Sequence, residues 1–218
     1  DLEGQLTYDS ATGLSSAGID ARLWNAPVHA TMRTEPSADG RTLIVQFQGR
    51  ADVADVGAWS QRPELSFASG QSPVTGELRV PMGGSGPLRF NLHSSLEGVT
   101  LAAPPPLQKA AAEARPLRVL IERQAGNASK SRYTFMLDGV GELRWESRDG
   151  RMLAADLSLA KASEPLQSGL FMIRGPVAEA DALVWRNVLQ QYLDALAAKA
   201  GREAASAAPA VASPSLAI

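Results

Sequence analysis

The chain has 218 residues, enough to bury a sizeable core as one domain or two small ones. Its net charge is −2 with acids and bases interspersed, so it has no basic face of the kind that nucleic-acid binding needs. It has no cysteine, which excludes a disulfide framework and a thiolate metal site.

Leu2 to Tyr8 alternates weakly, and Asp9-Ser10 with Gly13 marks a turn. Ile19, Ala21 and Leu23 share one face of a strand. Val28, Ala30 and Met32 follow Pro27 as the next, and Leu43, Val45 and Phe47 follow the turn Ala38-Asp39-Gly40. The spacing is that of an antiparallel meander. After Gly49 the period changes. Asp52 and Asp55 are N-cap residues for a short helix with Val56 and Trp59 on one face, and Pro63 ends it. Trp59 is expected to be buried against the sheet end. Gly70 to Gly76 reads as a loop and Glu77 to Val80 as a strand, closed by the turn Gly83 to Pro87.

Leu88, Phe90 and Leu92 alternate with Arg89, Asn91 and His93. Pro104, Pro105 and Pro106 cannot donate to a ladder and form a rigid crossing, after which Leu117, Val119 and Ile121 resume the alternation. A groove-shaped sheet with a strap across its rim would need such a piece. Tyr133, Phe135 and Leu137 alternate next, then Leu143 and Trp145, then Leu153, Ala155, Leu157 and Leu159. Asp138-Gly139 and Asp149-Gly150 supply the turns. Leu170 to Ile173 is an unbroken apolar run, expected to be buried on both sides or covered. Asp181 to Lys199 reads as an amphipathic helix with Trp185, Val188, Leu189, Tyr192 and Leu196 as its apolar stripe. Gly49, Asp55 and Trp59 have the spacing of Gly175, Asp181 and Trp185, which suggests a repeated meander-plus-helix unit.

The fold class is therefore mostly β: a curved antiparallel sheet, groove-like, from two unequal meander-plus-helix repeats, with a C-terminal amphipathic helix. Residues 1–62 form the first meander and short helix. Residues 63–202 form the second, longer meander with its proline strap and C-terminal helix. Residues 203–218, rich in Ala, Ser and Pro, form a disordered tail or linker.

Little in the chain points to catalysis. His29 and His93 each sit alone in a strand pattern without a ligand spacing, so they read as ordinary strand histidines. No serine lies in a nucleophile elbow, and Gly83, Gly84 and Gly86 do not have phosphate-loop spacing. The Asp52/Asp55 pair reads as a helix start. No catalytic residue, metal site or cofactor is expected. Lys109, Arg115 and Arg118 flank the proline segment, where solvated surface charge is favoured over a cationic rim for lipid phosphates. The apolar strand faces fit a sealed core or an open groove equally well, and the sealed core is the default for a globular chain.

Ser94-Ser95-Leu96-Glu97-Gly98, Pro104 to Lys109 and Pro116-Leu117 resemble the large AsmA-like proteins of the YhdP type in Gram-negative bacteria. Gly13-Leu14-Ser15, Ala21 to Trp24, Ala26-Pro27, Gly49 to Trp59 and Gly175 to Trp185 extend the resemblance over most of residues 4–190. Ala103 departs from the pattern, which has leucine before the first proline. The resemblance implies a fragment of a much longer periplasmic protein, anchored in the inner membrane by a helix outside this stretch. The start at Asp1 and the lack of a signal peptide fit a fragment. It further implies a non-enzymatic section of a hydrophobic-groove bridge that moves phospholipid between inner and outer membranes, and so serves outer-membrane biogenesis. The implied partners are phospholipid acyl chains and the rest of the parent chain, edge to edge. It also reverses the order of the two readings above, in favour of the open groove. The lining residues would be Val45, Phe47, Leu88, Phe90, Leu92, Val119, Ile121, Phe135, Leu137 and Leu157. A carbohydrate- or protein-binding β-sandwich module is the alternative.

Overall fold

The computed structural model describes residues 2–23, 26–38, 40–60, 63–83, 86–124, 130–149, 151–159 and 165–176, with the isolated positions 186 and 190. The helix expected over Asp181 to Lys199, Trp185 with it, and the tail at 203–218 lie outside the described residues.

The chain begins with β1 (Leu2–Gly4), β2 (Thr7–Asp9), β3 (Gly13–Leu23), β4 (Ala26–Ser37) and β5 (Gly40–Asp52). A helix α1 (Val53–Ser60) and a 3-10 turn (Pro63–Phe67) lead to β6 (Ala68–Met82), β7 (Leu88–Ser94) and β8 (Val99–Leu101). After the proline segment come β9 (Leu117–Arg123), β10 (Lys130–Leu137), β11 (Gly141–Arg148), β12 (Arg151–Leu159) and β13 (Phe171–Arg174). All thirteen strands belong to one sheet in the order β1-β3-β4-β5-β6-β7-β9-β10-β11-β12-β13, with β2 beside β3 and β8 beside β6. β1 and β13 do not pair, so the sheet stays open. Neighbours are antiparallel except β12 and β13, which run parallel. An open sheet of this size must twist and coil rather than lie flat.

Local chemistry accounts for the connections. Asp9 Oδ1 accepts hydrogen bonds from the amides of Ala11 and Thr12, each at 2.8 Å, and so fixes the turn before β3. Asp52 caps α1 by accepting from the Ala54 amide at 2.8 Å. Its carboxyl is held below the usual range by the Gln71 side chain first and by that amide second. The long connection from β7 to β9 folds on itself: Gly98 donates to Ala111 O, Leu101 and Lys109 exchange backbone hydrogen bonds, and Arg115 N donates to Ser95 O. Together with α1, this segment finishes one end of the strands.

Several expectations are corrected. Residues 70–76 are not a loop but part of β6, which pairs with β5 from Gln71 to Met82. Pro73 is tolerated because β7 pairs with β6 only from Val74 onward, so no ladder partner waits for its missing N–H on that side. Trp59 is not buried: it is 70% exposed, and α1 buries no residue at all. Eight residues make barely two turns, too short to press a stripe onto the sheet. The run Leu170 to Ile173 is not covered among the described residues. Phe171 and Ile173 are 60% and 62% exposed on an edge strand.

The core is small. Among the described residues the buried apolar side chains are Ile44, Val99, Val140, Ala154 and Ala155. A two-layer domain of this length would bury many large side chains between its layers. Here one layer is present among the described residues.

Candidate functional site

Because side chains alternate across a strand, residues paired directly across the ladder share a face. Following the register from strand to strand sorts the whole sheet. One row runs Ala30, Phe47, Gly76, Leu92, Val119, Phe135, Leu143, Leu157, Ile173. The next, two residues along each strand, runs Met32, Val45, Leu78, Phe90, Ile121, Tyr133, Trp145, Ala155, Phe171. Leu117, Leu137 and Leu159 lie on the same face toward the proline segment, and Leu43 and Leu88 lie on it toward the other strand ends. The rows form an apolar band that crosses the strands from β4 to β13.

The structure places all ten residues expected to line a groove on this one face. Each is half-buried, neither sealed nor bare. Leu78, Tyr133, Leu143 and Trp145 share the face and complete it. Their alternation with charged neighbours is the signal that marks them. The aromatic side chains lean on one another across strands. Tyr133 and Phe135 both stack on Trp145, with ring centroids 4.6 and 5.1 Å away. Phe47 and Phe90 stack at 5.8 Å although β6 lies between their strands. Two strand spacings amount to about 9.6 Å in a flat sheet, so these rings converge over the gap. Gly76 makes the gap, since a Cβ there would collide with the Phe47 ring.

The opposite face is mostly polar and laced with ion pairs, with Ile44, Leu120 and Met136 among its apolar members. Arg89 pairs with Glu122 at 2.9 Å, Arg132 with Glu146 at 2.7 Å and Lys130 with Glu146 at 2.9 Å. Burial opposes ionisation of Glu146, but hydrogen bonds from Lys130 and Arg132 win and hold its carboxyl below the usual range. Ile44, fully buried, sits between Arg33 and Arg79 in the register of this face. His29 and His93 also lie here. His29 is not partnerless: its Nδ1 is 2.8 Å from Asp20 Oδ1 on an exposed stretch. The two histidines join Gln46, Gln48, Glu77 and Asn91 around an open concavity of about 810 Å³. A strongly twisted sheet is saddle-shaped, so its polar face is concave along one diagonal. No group of three histidines or carboxylates placed to hold a metal ion is found among the described residues.

The proline segment corrects the charge assignment beside it. Lys109 is neither a rim cation nor a solvated one, being 2% exposed. Its Nζ donates to Val99 O at 2.6 Å and to Ala110 O at 2.9 Å, and burial pushes the ammonium below the usual lysine range. Arg115 reaches Pro106 O and Gln108 O at 3.2 and 3.0 Å, and Glu113 at 2.7 Å. Both side chains cross-link the backbone of the segment, whose carbonyls have no ladder to join. Arg118 alone is exposed, on the polar face.

No helix among the described residues is long and apolar enough to cross a membrane. No curated protein and no solved structure matches the chain. A family model described as YhdP protein matches residues 1–217. With an open β-sheet that keeps one apolar and one polar face, the chain belongs to the YhdP family of AsmA-like proteins.

Proposed function

We propose that this chain is a non-catalytic section of a periplasmic bridge that carries phospholipid between the inner and outer membranes. The observation that carries the reading is the apolar band itself. It is continuous across neighbouring strands, half-exposed, and backed by a face of ion pairs. Acyl chains partition onto such a surface, where each methylene removed from water contributes about 0.8 kcal/mol. Translation along the band exchanges one apolar contact for another, so no reacting side chain is required. The remainder of the parent protein would continue the sheet from its edges, with an inner-membrane anchor elsewhere. The sandwich-module alternative draws no support from a single open sheet.

Trp145 offers a direct test, because it stands within the band, on β11 between Tyr133 and Ala155. In a variant with Trp24, Trp59 and Trp185 changed to Phe, phospholipid brominated along its acyl chains should quench the remaining fluorescence more than unbrominated lipid does. Equal emission with both lipids would remove acyl contact from the account.

A further inference from the structure

The apolar face carries charge at two described positions, and they differ. Arg41, at one margin, is committed: its guanidinium donates to Ser10 O at 3.2 Å and Ala11 O at 2.7 Å. Arg123, at the end of β9, is exposed, and its guanidinium has no hydrogen-bond or ion-pair partner among the described residues. It stands in register with Leu88 on one side and Ser131 on the other, and Ser131 is in register with Ser147. The apolar row thus ends in an arginine followed by two small hydroxyl side chains. One residue beyond them at the same margin, Arg148 and Arg151 close the β11–β12 hairpin; in register with Lys130, they leave the sheet on the polar side, so that the margin is flanked by arginine from both faces. Both are exposed and likewise unpartnered among the described residues.

These tips are locally basic on a chain whose net charge is −2. Arg89, Arg123, Lys130, Arg132, Arg148 and Arg151 face only Glu122, Glu146 and Asp149, an excess of three positive charges. The other end of the band carries no such excess: Asp52, Asp55, Glu97, Glu113 and Asp138 lie around the proline segment and the neighbouring turns beside Arg50, Arg115 and Arg118, and the lysine there is buried. From Leu117 to Arg123 the strand runs about 20 Å at 3.3 Å per residue, which leaves room for an acyl chain lying along it.

We infer that the tips of β9, β11 and β12 form a headgroup lip, with Arg123, Arg148 and Arg151 receiving the phosphate of an anionic phospholipid. The inference rests on the acyl-chain reading above and adds an orientation to it. Acyl chains lie on the apolar rows and point toward the proline segment, while the headgroup stays in water at the opposite margin. Guanidinium groups suit this role, because their fork of donors matches phosphate oxygens in pairs. The three are uncommitted, so no existing ion pair has to break first.

The test is co-sedimentation of the full chain with phosphatidylglycerol vesicles and, separately, with phosphatidylcholine vesicles at low salt. Wild type should bind phosphatidylglycerol about tenfold or more tightly, as three basic side chains near an anionic surface allow. The triple variant R123Q/R148Q/R151Q should lose that preference and keep its binding to phosphatidylcholine. R118Q, which removes an exposed arginine from the polar face, should keep the preference. If the triple variant retains the preference, or R118Q loses it equally, the lip is wrong while the acyl-chain reading stands. If wild type binds neither vesicle, the acyl-chain reading falls and takes the lip with it.

Discussion

Asp156→Ala should loosen the last two strands and lower the melting temperature by about 5–10 °C. Asp156 is 1% exposed on the polar face of β12. Its oxygens lie 3.4 Å from Arg144 Nη2 and 3.0 Å from Arg174 Nε, and Ser158 donates to it at 2.8 Å. Removing one partner of a buried ion pair leaves the other charge uncompensated, at about 3–5 kcal/mol when fully buried. Two facts reduce that here. The arginine side chains are 19% and 22% exposed, and Arg144 keeps Glu142 at 3.0 Å. About 2–3 kcal/mol remains, which sets the temperature shift for a chain of this size. Most of it should fall on β13, whose only ladder among the described residues is the short parallel pairing with β12. Amide exchange along 171–174 should accelerate before the rest of the sheet responds. Unchanged exchange there would mean that the buried carboxylate does not hold the edge.

The second large effect is a contrast. Phe90→Glu should fold, with a loss of roughly 1–3 kcal/mol, and should lose lipid binding. Ile44→Glu should fail to fold. The two residues lie in the same sheet, on β5 and β7 with β6 between them, and on opposite faces. Phe90 is half-buried, so a carboxylate there reaches water and forfeits only the stack on Phe47 and some apolar contact. Ile44 is 0% exposed, and the arginines that flank it in the register, Arg33 and Arg79, already pair with Glu35 and Glu77, so the same carboxylate would be buried without room for water. A sealed apolar layer predicts the reverse order, with Phe90→Glu the more damaging. Circular dichroism melts of the two variants decide between them.

The faces of β7 and β9 were legible from alternation alone. Leu88, Phe90 and Leu92 read as one side, and so did Leu117, Val119 and Ile121, because a period of two admits no other arrangement in a sheet. What alternation cannot supply is the layer count. The same pattern serves a sandwich core and an open band, and only the half-exposure of Val45, Phe135 and their neighbours separates them. β6 was misread over residues 70–76 because glycine, serine and proline there look like loop. They are tolerated where β6 outruns β7 and where the Phe47 ring needs an empty position above Gly76. Trp59 was misassigned because helical spacing names a face without saying whether anything covers it. Lys109 was misassigned because a lysine is rarely buried, and its carbonyl partners, Val99 in the short β8 and Ala110 in the loop after it, are brought together by a fold that no local pattern announces.

The most direct test of the account sets two adjacent residues against each other. Leu92 and Asn91 are neighbours in β7 whose side chains leave opposite faces of the sheet. A photoreactive amino acid placed at 92 should form adducts with phospholipid, and the same amino acid at 91 should not. Adducts confined to 92 would place lipid on the apolar band. No adduct at 92, or equal yields at both positions, would contradict the claim that this face carries acyl chains.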